Sequence, residues 1–344
     1  MVDDGINQNA PPQEPIIKTT KRMDNLMHIL IIGGSGFIGR HLSKALLDAG
    51  HQVTVKTRDI DKTRQVFREH QCSPMIIDDY STLDKQVAEQ TAAPVNTVIH
   101  LAGAGIVDKR WTAQRKKQLI ESRTQPLIEL EKWLNQSNHQ LNTLLIGSAI
   151  GYYGYPDDPE LTLHEDSPAQ DDFTHRICRA SEAQGAQLIG SSIKHIVNLR
   201  TGVVLGNDGG ALVKMLTPAK FHLNGKIGNG QQWVSWIHID DWIAAVQHIL
   251  TQATLKTTTD KQPFISSYNL TAPQPVRNVE LSQAIGSALG KTLQIPVPSL
   301  SLKLLLGEAA ILLLGSQKVL PRQLEKSQFS FRYPEINAAL ATLM

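Results

Sequence analysis

The sequence predicts an α/β fold built on a doubly wound parallel sheet, and three observations carry that prediction. From His28 onward, short apolar runs alternate with longer segments of helical period. A glycine-rich turn, GGSGFIGRHL, joins the first run to the first such segment. An apolar fraction of 41% over 344 residues suffices for a sizeable core, in one large domain or two unequal ones.

The runs are HILII, QVTV, MII, TVIHLA, TLLIGSA and HIVNLRTGVVL. They are strand-length and nearly all apolar, the pattern of strands covered by helices on both faces. After Leu205 the texture changes to glycine-rich loops, GNDGGALVK and NGKIGNGQQ, then a strand-like QWVSWIHI. A helix follows, DDWIAAVQHIL, which Asp240 or Asp241 is placed to cap. Residues 252–263, QATLKTTTDKQP, read as a polar surface loop, SYNLTA as a last strand, and the remainder as helices punctuated by IPVPS and VLPRQL. The expected division is a flexible tail (1–27), a nucleotide-binding domain (28–205 and 235–270) and a small discontinuous substrate-binding portion (206–234 and 271–344). The tail is polar and lacks an apolar core of signal-peptide length.

With 34 basic and 32 acidic side chains, the formal charge is +2. No basic run is long, so neither nucleic acid nor acidic lipid is expected as the main partner, and a small-molecule substrate fits better. The two cysteines, Cys72 and Cys178, lie far apart, which suits neither a disulfide framework nor a zinc site and agrees with a reducing cytoplasm. The greasiest segment, Leu300 to Ser316, is interrupted by Lys303, Gly307 and Glu308 and falls short of the ~20 apolar residues of a membrane helix. It reads as a buried or docking helix.

Gly33, Gly36 and Gly39 form G-x-x-G-x-x-G between strand and helix. The three positions serve a tight turn, backbone approach by a pyrophosphate, and close helix-to-strand packing. Phe37 and Ile38 stand in the first helical turn, where free N–H groups face phosphate. The second strand ends in Thr57 and Arg58, where a carboxylate would bind the 2′-hydroxyl of NAD. A guanidinium fork suits a 2′-phosphate, so NADP(H) is the expected cofactor. Asp59 argues the other way, and a solvated surface arginine is the plain alternative.

These segments, with VIHLAGAGI, RWTAQRKKQLIESR, GSAIGYYG, LRTGVVLG, GQQWVSWIHIDD and the long C-terminal GEAAILLLGSQKVLPRQLEKSQFSFRYPEINAAL, resemble the extended short-chain dehydrogenase/reductase superfamily. More narrowly, they resemble its atypical, epimerase-family branch, related to NAD(P)-dependent nucleoside-diphosphate-sugar epimerases. The resemblance implies a Rossmann-type core with a nicotinamide cofactor across the carboxyl ends of the strands. It puts Leu101, Ala102 and Gly103 beside that cofactor, and gives Gln118 and Arg123 contacts to it. Read without the family, Gln118 and Arg123 are ordinary polar residues of a helix surface. It also allows a homodimer.

Hydride-transferring members of that superfamily use a serine or threonine at the end of strand five and a Y-x-x-x-K pair on the next helix. Ser148 matches the first element. Counting about 25 residues on lands on Phe173, with Ile177 in the lysine position, so the usual proton relay is missing. Tyr152 and Tyr153 are the nearest substitute hydroxyls, or else aromatic packing of a loop. His175, Arg176 and Cys178 are weaker candidates on the same helix. Trp233 and Trp236 are candidates for a substrate-pocket wall, with core packing as the alternative. Arg200 either holds an anionic substrate group or makes a salt bridge at a sheet edge. His238 and Asp240 lack a third ligand, and no metal is expected.

Two functions stay open. One is an NADP(H)-dependent oxidoreductase or epimerase-like enzyme acting through Ser148, with Tyr152 or Tyr153, on a carbonyl or hydroxyl substrate such as a nucleotide sugar. The other is a cofactor-binding regulatory or interaction protein without turnover.

Overall fold

A computed structural model describes residues 26–137, 139, 141–190, 193–219, 225–259, 262–290 and 295–344. The chain opens with β1 (His28–Ile32), α1 (Phe37–Asp48), β2 (Gln52–Lys56), α2 (Ile60–Phe67), β3 (Met75–Ile77), α3 (Tyr80–Ala88) and β4 (Thr97–His100). It continues with α4 (Ala113–Gln136), β5 (Leu141–Ala149), β6 (Thr162–Leu163), α5 (Phe173–Ala186), β7 (Ile193–Thr201), β8 (Val203–Leu205) and α6 (Gly210–Ala219). Next come β9 (Trp233–Val234), β10 (Trp236–His238), α7 (Ile239–Thr259), β11 (Phe264–Leu270), β12 (Val276–Arg277) and α8 (Asn278–Ala288). The C-terminal part holds α9 (Ser299–Leu306), α10 (Ile311–Leu314), β13 (Lys318–Val319), α11 (Arg322–Lys326) and α12 (Ile336–Ala341).

Seven strands form one sheet in the order β3-β2-β1-β4-β5-β7-β11, and every pairing is parallel. Strand order reverses between β1 and β4, which opens a crevice at the carboxyl ends where a dinucleotide lies in folds of this kind. Alternate residues feed opposite cores. Ile29, Ile31, Val53, Val55, Leu145 and Val197 meet α1 and α7 on one face. Leu30, Ile32, Val98, Leu144 and Ile196 meet α3 and α4 on the other. Each such buried aliphatic side chain contributes about 1.5–3 kcal/mol relative to an exposed one, which is why the sheet reads as unbroken apolar runs.

A third apolar cluster joins Leu205, Leu212, Trp236, Ala272, Leu281, Ile285, Ala339 and Leu340, drawing on residues before and after β11. Three expectations need correction here. QWVSWIHI is not one strand: it breaks at Ser235, with β9 pairing to β12 and β10 pairing to β8. The break is held because Ser235 Oγ donates to the Gln317 carbonyl and accepts from Val319 N–H, both at 2.8 Å. SYNLTA lies in the last strand of the main sheet, but the short strands β12 and β13 follow it. Of the segment expected as a loop, 252–259 continue α7, because packing of Ala245, Ile249 and Ala253 carries the helix onward into a polar, threonine-rich end. No helix among the described residues is long and apolar enough to cross a membrane.

Candidate functional site

The carboxyl end of β1 turns at Gly33, whose φ of +90° is left-handed and whose added Cβ would lie 2.7 Å from Ala102 N. Gly36 differs: a Cβ there would meet only the Gly33 carbonyl oxygen, at 3.4 Å. Gly36 is the N-cap of α1, with no side-chain cap and no acidic residue in the first turn. The N–H groups of Phe37, Ile38 and Gly39 therefore have no helical partner, and the positive end of a twelve-residue helix faces out over Gly36. The Phe37 ring itself turns away and packs under Gly206, Gly209 and Gly210, tying this turn to the loop after β8. Ile38 packs against the core.

At the end of β2, Thr57 Oγ1 accepts from Thr63 Oγ1 at 2.9 Å and from Asp59 N–H at 3.2 Å. The Asp59 carboxylate accepts from Lys62 N–H at 3.0 Å and caps α2. Arg58 is exposed and makes no side-chain hydrogen bond or ion pair among the described residues. The acid that argued against a phosphate is thus occupied, while the guanidinium beside it is not.

Across the crevice, Leu101 N–H donates to the Ile32 carbonyl at 2.8 Å, and Ala102 and Gly103 follow. The Arg123 guanidinium lies against Gly103, where a Cβ would be 2.9 Å from its central carbon. It donates to the Leu119 and Ala104 carbonyls at 2.8 and 3.1 Å, so it braces this loop from α4. Gln118 is exposed and accepts from Arg115 at 2.6 Å.

Ser148, Arg200 and Asn269 are register partners at the carboxyl ends of β5, β7 and β11. Strand alternation puts all three side chains on the α5 side of the sheet. There, Ser148 Oγ donates to Glu182 at 2.7 Å, and Arg200 makes two bonds to the same carboxylate at 3.1 and 3.0 Å. Arg200 also donates to Tyr153 Oη at 3.2 Å and to the Glu165 carbonyl at 3.1 Å. Tyr153 Oη in turn donates to Asn269 Oδ1 at 2.6 Å. Burial opposes the Arg200 charge, but the Glu182 bonds and charge outweigh it and hold the guanidinium protonated. Burial pushes the Tyr153 phenol up to about 12, with Arg200 pulling the other way.

This geometry separates the two tyrosines. Tyr153 is buried and its hydroxyl is fully engaged, so it is a strut of the network rather than a free hydroxyl. Tyr152 is half-buried, stacks its ring on the Arg200 guanidinium with 3.3 Å to the ring centroid, and its phenol has no hydrogen-bond partner among the described residues.

Other candidates are displaced. Arg200 is not at a sheet edge, because β7 lies between β5 and β11. Trp236 is fully buried and its indole N–H donates to the Gln274 carbonyl at 3.0 Å, so it packs a core rather than a pocket wall. Trp233 is only half-buried, with Arg277 at 3.8 Å and Lys318 at 4.8 Å from its ring centroid and its N–H on Glu160 at 3.1 Å. Phe173 and Ile177 join an apolar cluster with Trp111, Leu119 and Ala309. His175 bonds the Tyr152 carbonyl, Arg176 pairs with Asp171 at the surface, and buried Cys178 donates to the Ala149 carbonyl at 3.6 Å. Burial pushes the Cys178 thiol up to about 11, which makes it a poor nucleophile. Asp240 and Asp241 fall inside the first turn of α7 rather than at its cap, and Asp241 accepts from Arg332 and Tyr333 N–H groups at 2.8 Å each. No cluster suited to a metal occurs among the described residues.

The sequence reading missed Glu182, Glu165 and Asn269. A signal for the first existed: an arginine inside an apolar strand demands a buried carboxylate.

Comparison with known proteins identifies the family and the fold. The family model described as "NAD dependent epimerase/dehydratase family" matches residues 29–260, and "Domain of unknown function (DUF1731)" matches 297–343. The chain is 33% identical over 331 residues to the chloroplastic epimerase family protein SDR39U1 homolog of Arabidopsis thaliana, spanning 96% of this chain and 90% of that one. It is 31% identical over 320 residues to epimerase family protein YfhF of Bacillus subtilis, spanning 92% and 98%. Among solved structures, that of human epimerase family protein SDR39U1 (isoform2) with NADPH matches with a TM-score of 0.76 at 30% identity, covering 92% of this chain and 99% of that one. A UDP-glucuronic acid 4-epimerase from Bacillus cereus matches with a TM-score of 0.69 at 18% identity, over 92% and 98%, and shares the fold.

Proposed function

The chain belongs to the NAD-dependent epimerase/dehydratase family, and from that premise we propose that it binds NADP(H) and acts as an oxidoreductase or epimerase-like enzyme on a carbonyl or hydroxyl substrate. The observation that carries the cofactor reading is the open backbone over Gly36 at the uncapped, acid-free start of α1. Gly33, Gly36, Phe37, Ile38 and Gly39 would hold the pyrophosphate, and Thr57 and Arg58 the 2′-phosphate. Leu101, Ala102 and Gly103 line the crevice, with Gln118 and Arg123 behind them. When bound, the nicotinamide supplies or accepts a hydride.

The expected result is that NADPH binds at least tenfold more tightly than NADH by fluorescence titration, and that Arg58→Glu reverses or abolishes the preference, since one charged hydrogen bond is worth about 1.5–3 kcal/mol. Equal affinity for both nucleotides in the wild type sinks the Arg58 assignment.

For chemistry, the chain offers one short relay. Ser148 Oγ points its proton at Glu182, whose other bonds to Arg200 fix the carboxylate in place. Tyr152 supplies the free phenol beside it. In this reading Ser148 and Tyr152 bond the substrate oxygen, and Glu182 and Arg200 are positioning residues. A screen of simple carbonyl compounds and sugar nucleotides by NADPH absorbance tests it. We expect Ser148→Ala to lower kcat by about 10²–10⁴, the range for loss of a proton-transfer partner, and Tyr152→Phe to lower it less. Turnover unchanged in both variants removes these residues from the chemistry.

One observation favours a second reading, a cofactor-binding protein without turnover. Phe173 and Ile177 are packed among apolar side chains, where neither moves a proton nor shifts a pKa. Tight NADPH binding with no turnover across the screen supports that reading.

A further inference from the structure

We propose that α9 and the basic surface beside it dock the protein peripherally on an anionic lipid bilayer. The helix reads SLSLKLLL, and Leu300, Leu304 and Leu305 are 65%, 70% and 69% exposed, more than any other large apolar side chain described. Leu300 and Leu304, one turn apart, share a face with Leu305 adjoining it. Ile311, on α10, and Val107, in the loop after β4, are also exposed, at 37% each. A monomer gains nothing from holding three leucines in water, so a patch of this kind marks a contact surface.

Charge says what covers it. The Arg110 guanidinium packs on Gly307, which ends α9 with a φ of +61°. Lys116 pairs with Glu308 in the next turn, fixing α4 beside the leucines. The groove there has a volume of about 700 Å³ and is lined by Lys109, Arg110, Arg115 and Lys117, with Glu121 as its one acidic lining residue. Glu121 is itself paired with Lys117 at 3.7 Å. Lys109, Arg110 and Lys303 are exposed and make no ion pair among the described residues. Exposed leucines rimmed by unpaired cations suit acyl chains below phosphate headgroups. A second copy docked about a two-fold axis would bring the same cations together, which disfavours a homodimer through this face. The overall charge of +2 does not reveal this local excess, which is why the sequence pointed away from acidic lipid. No helix among the described residues spans a bilayer, so the attachment is to its surface.

The test is flotation of the full chain with vesicles of phosphatidylcholine alone, or mixed with phosphatidylglycerol in equal parts. The expected result is binding to the mixed vesicles, weakened by added salt and at least about tenfold stronger than to phosphatidylcholine alone. Leu304→Ser with Leu305→Ser, and separately Lys109→Glu with Arg110→Glu, should each weaken flotation about tenfold or more while leaving the thermal melt by circular dichroism unchanged. Because all four side chains are exposed, neither double variant should compromise the fold. Absence of flotation, equal flotation on both vesicles, or wild-type flotation by both variants overturns the proposal. So does a dimer by light scattering that dissolves in the leucine variant without any vesicle binding, which would make a second copy the occupant.

Discussion

Arg200→Met is expected to destabilise the protein by about 3–5 kcal/mol in urea unfolding, the largest single effect on stability predicted for this chain. The reason is asymmetry. The guanidinium is buried with the Glu182 carboxylate, each side chain under 10% exposed, and they share two hydrogen bonds near 3 Å. Removing only the cation leaves a carboxylate out of water with the Ser148 hydroxyl as its remaining partner. It also strips Tyr153 Oη and the Glu165 carbonyl of a donor. Glu182→Gln in the same background neutralises the stranded charge, so the double variant should recover at least half the loss. A single-variant cost below about 1 kcal/mol, or a double variant no better than the single, contradicts this account.

The same pair explains why the carboxyl ends of β5, β7 and β11 stay in register around the site. Ser148, Arg200 and Asn269 form one rung of the sheet, and Glu182 and Tyr153 bridge it from α5 and the turn after β5. Such a bridge is a weak contributor to net stability, because desolvation consumes most of its Coulomb energy. Its value is geometric: it leaves Ser148 Oγ with one orientation and stacks Tyr152 against a fixed cation.

How far these features were legible depended on whether they were local in sequence. The parallel sheet and its first turn were, because apolar runs and G-x-x-G-x-x-G are periodic signals read within a few residues. Arg58 was visible at a strand end, and Asp59 beside it was ambiguous only until its carboxylate was found on Lys62 N–H. Arg200 stood out, yet Glu182, 18 residues earlier on another element, did not, since one helical glutamate looks like the next. Trp233 and Trp236 read on paper as parts of one strand, but the break at Ser235 sends one into a core and leaves the other at the surface. The α9 leucines were seen as greasy, and only the three-dimensional position of Arg110 and Lys116 shows what kind of surface they join.

Lowering the pH from 7 to 4.5 should destabilise the protein steeply, and His100→Gln should flatten that dependence. His100 ends β4, directly below the Leu101–Gly103 loop, and is buried. Its Nε2–H donates to the Arg123 carbonyl at 2.8 Å, and a carbonyl only accepts, so Nδ1 is the bare nitrogen. Nδ1 is buried without a partner, so a second proton there has nothing to bond. Burial holds the imidazole down at about 4, against an ordinary value of 6.5; the Arg123 carbonyl raises it somewhat and the Arg123 charge lowers it further. Above 6.5 neither state binds the proton, and the group contributes no slope. Between 6.5 and about 4 the unfolded chain takes up a proton that the folded one refuses, so stability is lost as the pH falls through that window. A depression of this size corresponds to about 3 kcal/mol by pH 4. His28, His51 and His238 are lowered chiefly by burial as well and add in the same direction. Glutamine keeps a donor for the Arg123 carbonyl but does not titrate. Urea unfolding at pH 7 and 4.5 should therefore show a loss about 2–3 kcal/mol smaller in His100→Gln than in the wild type. Parallel pH profiles for the two proteins would mean that His100 takes up its proton without leaving the fold.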